Sequence, residues 1–182
     1  NYEILNPNFY GNFSISSNML KTSFDKKSID QSDSFDNMKE NLKIISLRLI
    51  NQKGINNIEF DAQGYPIGFS QNSQEVLVPA FISAYTGNNA NSVGLNPISD
   101  KPKINWSIQY DGLSEGLKDI FSRISLRHSY RSNFTINNFQ SNLNYSENSF
   151  NSVGDYESKI FFSNINLVEQ FNPLIRVDLL FN

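Results

Sequence analysis

Cysteine is absent from this chain, so disulfide staples and thiolate metal sites are both excluded. There is also no run of about 18 apolar residues, the length a helix needs to cross a bilayer. If the chain sits in a membrane, it does so as strands. A basic excess is missing too: 15 Lys and Arg stand against 18 Asp and Glu, giving a net charge of −3 and a pI near 5.1. That balance offers no field for phosphate backbones, which removes nucleic acid as a partner. Hydrophobic residues make up 38% of the chain, below the roughly 45–50% of ordinary globular domains.

What is present is aromatic and polar. Aromatics reach 13%, with 15 Phe against a single Trp, and Asn and Ser dominate the polar positions. Little apolar bulk combined with many rings suits thin, two-faced strands better than a thick core. Asn1 carries no initiator Met or signal-peptide pattern, and residues 175–181 stop inside an apolar alternation. The chain is therefore expected to be an internal stretch of a longer one.

Residues 8–24 place Phe9, Phe13, Ile15 and Met19 at odd positions between polar neighbours, which predicts a strand with one apolar and one wet face. A polar break follows from Asp25 to Asp33. From Ser34 to Lys53 the spacing changes: Phe35, Met38, Leu42, Ile45 and Leu49 recur at helical steps, with Asp33 or Ser34 as cap and Gly54 as stop. Gly64-Tyr65-Pro66 reads as a turn. A second helix is expected over 73–85, closed by Gly87, with Pro79 near its middle opposing it. Residues 88–103 read as loop.

Beyond Asn105 the alternation is strongest. Trp106, Ile108 and Tyr110 form one side of a short strand, and a short helix capped by Ser114 is expected to bury Leu117, Ile120 and Phe121. Over 123–136, Ile124, Leu126, His128, Tyr130, Phe134 and Ile136 take even positions, against Arg123, Arg127 and Arg131 among the odd ones. Fourteen alternating residues exceed the roughly 9–11 that cross a membrane. After Asn137-Asn138 the phase flips to Phe139, Leu143 and Tyr145. This marks either a two-residue hairpin or a bulge, and the bulge is favoured because Asn-Asn lacks the Gly of tight primed turns. A loop at 146–157 precedes strands at about 159–169 and 174–181, joined by an Asn172-Pro173 turn.

The fold class expected is mainly β: an antiparallel arc of a large transmembrane β-barrel with helical insertions. It divides into a strand at 1–24, a helical and loop excursion at 25–103, and strands over 104–182. On this pattern 25–103 and 146–157 lie at one end of the strands, the extracellular one, while 111–122 and Asn172-Pro173 lie at the other.

Chemistry is poorly represented. His128 has Leu126 and Tyr130 as same-face neighbours, so it reads as a polar residue at an interface and not as a catalytic base. Arg123, Arg127 and Arg131 repeat every four residues, about 13 Å apart on a strand, which either lines a pore or pairs with carboxylates on neighbouring strands. Arg176 and Asp178 read as a structural pair, and Asp111, Glu115 and Asp119 as charge decoration of a short helix. Gly64 to Gly68 lacks the Lys-Ser/Thr of a phosphate loop. Trp106, Tyr110, Tyr130, Phe134 and Tyr145 fit a membrane-interface girdle, or else a core or sugar platform in a soluble protein. No catalytic, cofactor-binding or metal-binding residue is expected.

Six segments, GYPIGF (64–69), VLVPAFISAYTG (76–87), NWSIQYDGL (105–113), ISLRHSYRSNFTI (124–136), SNLNY (141–145) and EQFNPLIRVDL (169–179), resemble in content and order the SprA/Sov family. These proteins are the outer-membrane translocons of the Bacteroidetes type IX secretion system. The likeness covers most of 64–180 and is looser before it. HSYRSNF (128–134) departs from the family's His-Gly-Tyr-Arg-Ser-Thr-Tyr but keeps the alternation. The resemblance implies an outer-membrane pore that passes folded cargo proteins to the cell surface, in systems that also serve gliding motility. It further implies a PorV-type barrel and a periplasmic plug as partners, and a lipid bilayer around the wall. Two rival readings are a soluble extracellular β-sandwich acting as adhesin or glycan binder, and a fragment of a TonB-dependent transporter. The excursion of about eighty residues argues against a simple porin.

Overall fold

A computed structural model describes residues 8–25, 28, 31–99 and 101–182. Residues 1–7 of the first expected strand segment and part of the polar break at 25–33 lie outside these described residues. The fold is a five-stranded antiparallel sheet with a few helices: β1 (Tyr10–Ser16), α1 (Asp33–Gln52), α2 (Gln74–Thr86), β2 (Trp106–Tyr110), β3 (Phe121–Ser141), β4 (Ile160–Phe171) and β5 (Arg176–Phe181), with β3 paired to each of the other strands. The sheet is open. No further strand among the described residues closes it into a barrel.

β3 is the hub because it runs for 21 residues, and Ile124, Tyr130, Phe134 and Ile136 on its even side are all buried. It runs unbroken through Asn137-Asn138, where Asn138 adopts a φ of 53°. Asn tolerates this left-handed backbone better than most residues, and the phase flips there without a hairpin.

The chain divides into two compact units, one of Asn1–Phe13, Met19–Lys101 and Thr135–Ile165, the other of Ser14–Asn18, Pro102–Phe134 and Asn166–Asn182. In the second unit β2 pairs with β3 from Trp106↔Tyr130 to Tyr110↔Leu126, and β5 pairs with it from Arg127↔Arg176 to Phe121↔Phe181. Ser132 turns its backbone toward one edge, accepting from Ser17 N at 2.8 Å and donating to Asn105 Oδ1 at 2.9 Å. Ser129 turns to the opposite edge, accepting from Asn172 N at 3.1 Å and donating to Pro173 O at 2.9 Å. In the first unit Ser141 N donates to Phe9 O at 2.7 Å, and Ser163 Oγ to Asn138 O at 3.0 Å.

These bonds overturn two expectations. β1 and β2 share one edge of β3, with β2 taking up where β1 leaves off. The 25–103 excursion is thus an insert into a single strand line, not a connection between two strands at their ends. Its base is closed by Lys103 N donating to Ser16 O at 3.0 Å and Ser16 Oγ donating to Lys103 O at 2.6 Å. Likewise β4 and β5 follow one another along the other edge. Asn172-Pro173, a cis bond, is an interruption without reversal, caused by the N–H that proline lacks. The sorting of connections into two ends fails for both features. A third correction concerns the link after β2: it is a 3-10 turn at Gly112–Leu117 that buries nothing, with Leu117 and Ile120 exposed.

The first unit holds a helix pair. α1 buries Leu42, Ile45, Leu49 and Ile50 against α2, whereas Phe35 at its start is exposed. Its cap is Ser32, one residue ahead of the expected candidates, whose hydroxyl accepts from Phe35 N at 3.2 Å. α2 is apolar on most sides and accordingly buried, from Val76 to Ala84. Pro79 lies within it, leaving the Glu75 carbonyl without its helical donor. The helix ends at Gly87 with φ 63°, where an added Cβ would stand 2.7 Å from the Lys21 side chain. Lys21 Nζ donates to the Gly87 carbonyl at 3.2 Å, placing a cation at the negative end of the helix.

Candidate functional site

The second unit has two chemically distinct faces because alternation on β2, β3 and β5 is held in register. One face collects the charges. Arg123 pairs with Asp111 at 3.6 Å, Arg127 with Asp178 at 3.9 Å, and Arg176 with Asp178 at 2.9 Å. Gln109 Nε2 donates to Asp111 at 3.0 Å. Arg131 lies on the same side and is exposed. Arg123, Ser125, Arg127 and Asp178 line a hollow of about 310 Å³ there. These are solvated pairs that stabilise little, so the row is a wet, charged surface and not a single anion clamp.

The other face is apolar. Ile108, Tyr110, Val177 and Leu179 are each about half exposed, at 55%, 53%, 52% and 48%, flanking the more enclosed Ile124 and Leu126. At one end of this band Trp106 stacks on Tyr130 at 4.5 Å, and Phe171 packs on Tyr130 at 5.2 Å. At the other end Phe121 meets Phe181 at 4.8 Å. His128 lies between Trp106 and Phe171, each 6.1 Å away, with Nδ1 2.5 Å from the Leu174 carbonyl. A backbone carbonyl is its partner, which is a positioning contact and not a catalytic one.

The sequence-nominated residues therefore fall into groups. Arg123 and Arg127 share one face with Asp111 and Asp178, and Trp106 and Tyr130 stack. Tyr110 lies on the apolar face; Phe134 is buried, as is Tyr130, so neither is a surface aromatic. Tyr145 is apart from them, its ring 5.4 Å from the Lys159 ammonium. Phe181 continues the apolar alternation expected over 175–181, whereas Phe171, which packs on Tyr130, was not among the expected aromatics although it shares that odd spacing.

A second concavity, of about 380 Å³, lies within the first unit. Leu49, Phe69, Val78, Pro79 and Phe162 make it mainly apolar, and Glu75 enters it with Lys53 and Lys159 nearby. Burial pushes the Glu75 carboxyl above its ordinary range, the two lysines pull it down, and Asp155 adds to the rise. Lys53 sits 4.1 Å over the Tyr156 ring and also donates to the Glu147 carbonyl. Gln74 clamps the start of β4, donating to Ile160 O and accepting from Phe162 N, both at 2.8 Å. This clamp covers a sheet edge, as an added strand would.

Among the described residues no group of three His, Asp or Glu could hold a metal ion, and no helix is long and apolar enough to cross a membrane. No protein-family model matches the chain, and no curated protein matches it either.

Proposed function

We propose that this chain is part of the wall of an outer-membrane protein-conducting β-barrel, a translocon resembling the SprA/Sov family, which passes folded cargo proteins to the cell surface. The observation that carries the reading is the division of β2, β3 and β5 into a charged face and an exposed apolar face along one set of strands. In a barrel wall the apolar face meets lipid and the charged face meets a water-filled lumen. Arg123, Arg127 and Arg131 then line the lumen, and cargo passes without covalent chemistry. The outer edges of β2 and β5, unpaired by any strand among the described residues, receive neighbouring strands of the complete barrel, as a membrane wall requires. The family likeness adds a PorV-type barrel and a periplasmic plug as partners.

The test is fractionation of the complete protein that carries this chain, together with the behaviour of the chain alone. Recovery in the outer-membrane fraction, with the isolated chain needing detergent, is the expected result. An isolated chain that stays folded and monomeric in plain buffer overturns the reading and favours a soluble adhesin-like module.

A further inference from the structure

We propose that the hydrocarbon core of the bilayer covers a defined band of the second unit, bounded by Phe121 and Phe181 at one rim and by Trp106 and Phe171 at the other. This inference rests on the barrel-wall reading and states where on the sheet that wall meets lipid.

Three observations converge on the boundaries. The first is composition. Between the rims the apolar face carries Ile108 and Tyr110 from β2, Ile124, Leu126 and His128 from β3, and Val177 and Leu179 from β5. His128 is the one titratable group among them apart from the Tyr110 phenol, and its Nδ1 is held by the Leu174 carbonyl. Every charged residue at this level, Arg123, Arg127, Arg176 and Asp178, pairs across the other face. A face free of fixed charge over three adjacent strands is what hydrocarbon demands, because a charge near the bilayer centre is costly.

The second is height. Phe121 and Tyr130 stand nine residues apart on β3, with one position taken up by the register shift beside Phe121. Eight rises of about 3.4 Å give about 27 Å along the strand. At a barrel tilt of roughly 40° that becomes about 21 Å across the membrane, against an apolar band of about 25 Å in outer-membrane barrels.

The third is the rims themselves. Aromatic side chains close the band at both ends, where amphipathic rings sit at the headgroup level. The Trp106 indole and the Phe171 ring fall at one rim, both packed on the buried Tyr130. At the other, Phe121–Phe181 lies beside the 111–120 link, which carries Asp111, Glu115, Lys118 and Asp119 together with exposed Leu113, Leu117 and Ile120.

A soluble partner protein would have no reason to match this height or to end at rings on both sides. Height, rings and the absence of fixed charge together support lipid as the occupant of this face.

The test uses the complete protein reconstituted in vesicles of phosphatidylcholine that carry nitroxide groups on the acyl chains. Single cysteines bearing an environment-sensitive fluorophore replace Phe181, Leu179, Val177, Ile108 and Trp106 in turn. The expected result is strong loss of emission at Leu179, Val177 and Ile108 and weak loss at Phe181 and Trp106. A profile that peaks at either rim overturns the boundaries while leaving the wall reading standing. No loss at any of the five overturns the wall reading as well. A second measurement, independent of labelling, compares Val177→Lys with Phe181→Lys. The first is expected to lower the amount of protein assembled in the outer membrane and the second to leave it near the parent level. Equal tolerance of both overturns the band.

Discussion

Glu75 shows how one residue's surroundings set a pH dependence. Burial raises its pKa in the folded chain more than Lys53 and Lys159 lower it. A carboxyl with a raised folded pKa favours the fold below its unfolded pKa, and that contribution is lost as pH rises through the folded value. Glu75→Gln is therefore expected to slow the local opening of α2 at pH 7 and to change nothing near pH 4, read by amide exchange corrected for intrinsic rates. Equal effects at both pH values would contradict the desolvation account. Gly68 sits at φ 93°, and a Cβ there would lie 2.4 Å from the Tyr156 ring. Gly68→Ala is expected to cost about 2 kcal/mol or more and to remove the exchange protection of Tyr156 N, which donates to Gly68 O at 2.8 Å. Unchanged protection at Tyr156 would show that the loop absorbs the methyl group. Ile45, fully buried between the helices, is expected to lose about 2–5 kcal/mol on truncation to Ala. Protease cleavage within 33–86 of the intact protein reports that loss.

At the scale of elements, what was legible was what neighbouring residues decide. The α1 stripe of Leu42, Ile45 and Leu49 is buried as its spacing predicts, and α2 forms with Gly87 at its end despite Pro79. β3 extends the alternation of 123–136 at both ends, and its phase flip is a single irregular residue, Asn138. What was hidden depends on pairing between distant segments. Nothing local to 10–16 or 106–110 says that both lie along one edge of β3, because it is settled by Ser17 N donating to Ser132 O and Ser132 N donating to Asn105 Oδ1. Asn172-Pro173 carries an ordinary turn signal, and only the backbone bonds of Ser129 show that the strand line continues past it. Asn105→Ala tests this junction. It removes the acceptor of Ser132 N, at a cost of about 1–3 kcal/mol if that donor stays unsatisfied. Ser132 should exchange faster while the Trp106–Tyr110 ladder keeps its protection. Loss of the whole β2 ladder would mean that Asn105 anchors more than one bond.

For the molecule as a whole, the sheet carries one charged surface and one apolar surface. A lone open sheet with Ile108, Val177, Leu179 and Phe181 exposed on one side is an incomplete hydrophobic structure, and the opposite face carries ion pairs beside an exposed Leu180. The fold class was legible as antiparallel β with helical insertions, because period-two and helical spacings are local signals. The candidate site was legible in part: the arginine row stood out by its spacing, but its carboxylate partners come from β5 and the 111–120 link, which local sequence does not place. Among the described residues the sheet stays open. In the proposed wall the apolar face meets lipid and the arginine face lines the lumen.

The most direct measurement of that central claim compares Val177→Cys with Arg131→Cys in the complete protein, in isolated outer membranes, using a water-soluble maleimide. The account expects Arg131→Cys to react and Val177→Cys to be protected until detergent removes the lipid. Equal reactivity of the two before detergent, with the protein recovered in the aqueous fraction, would contradict it.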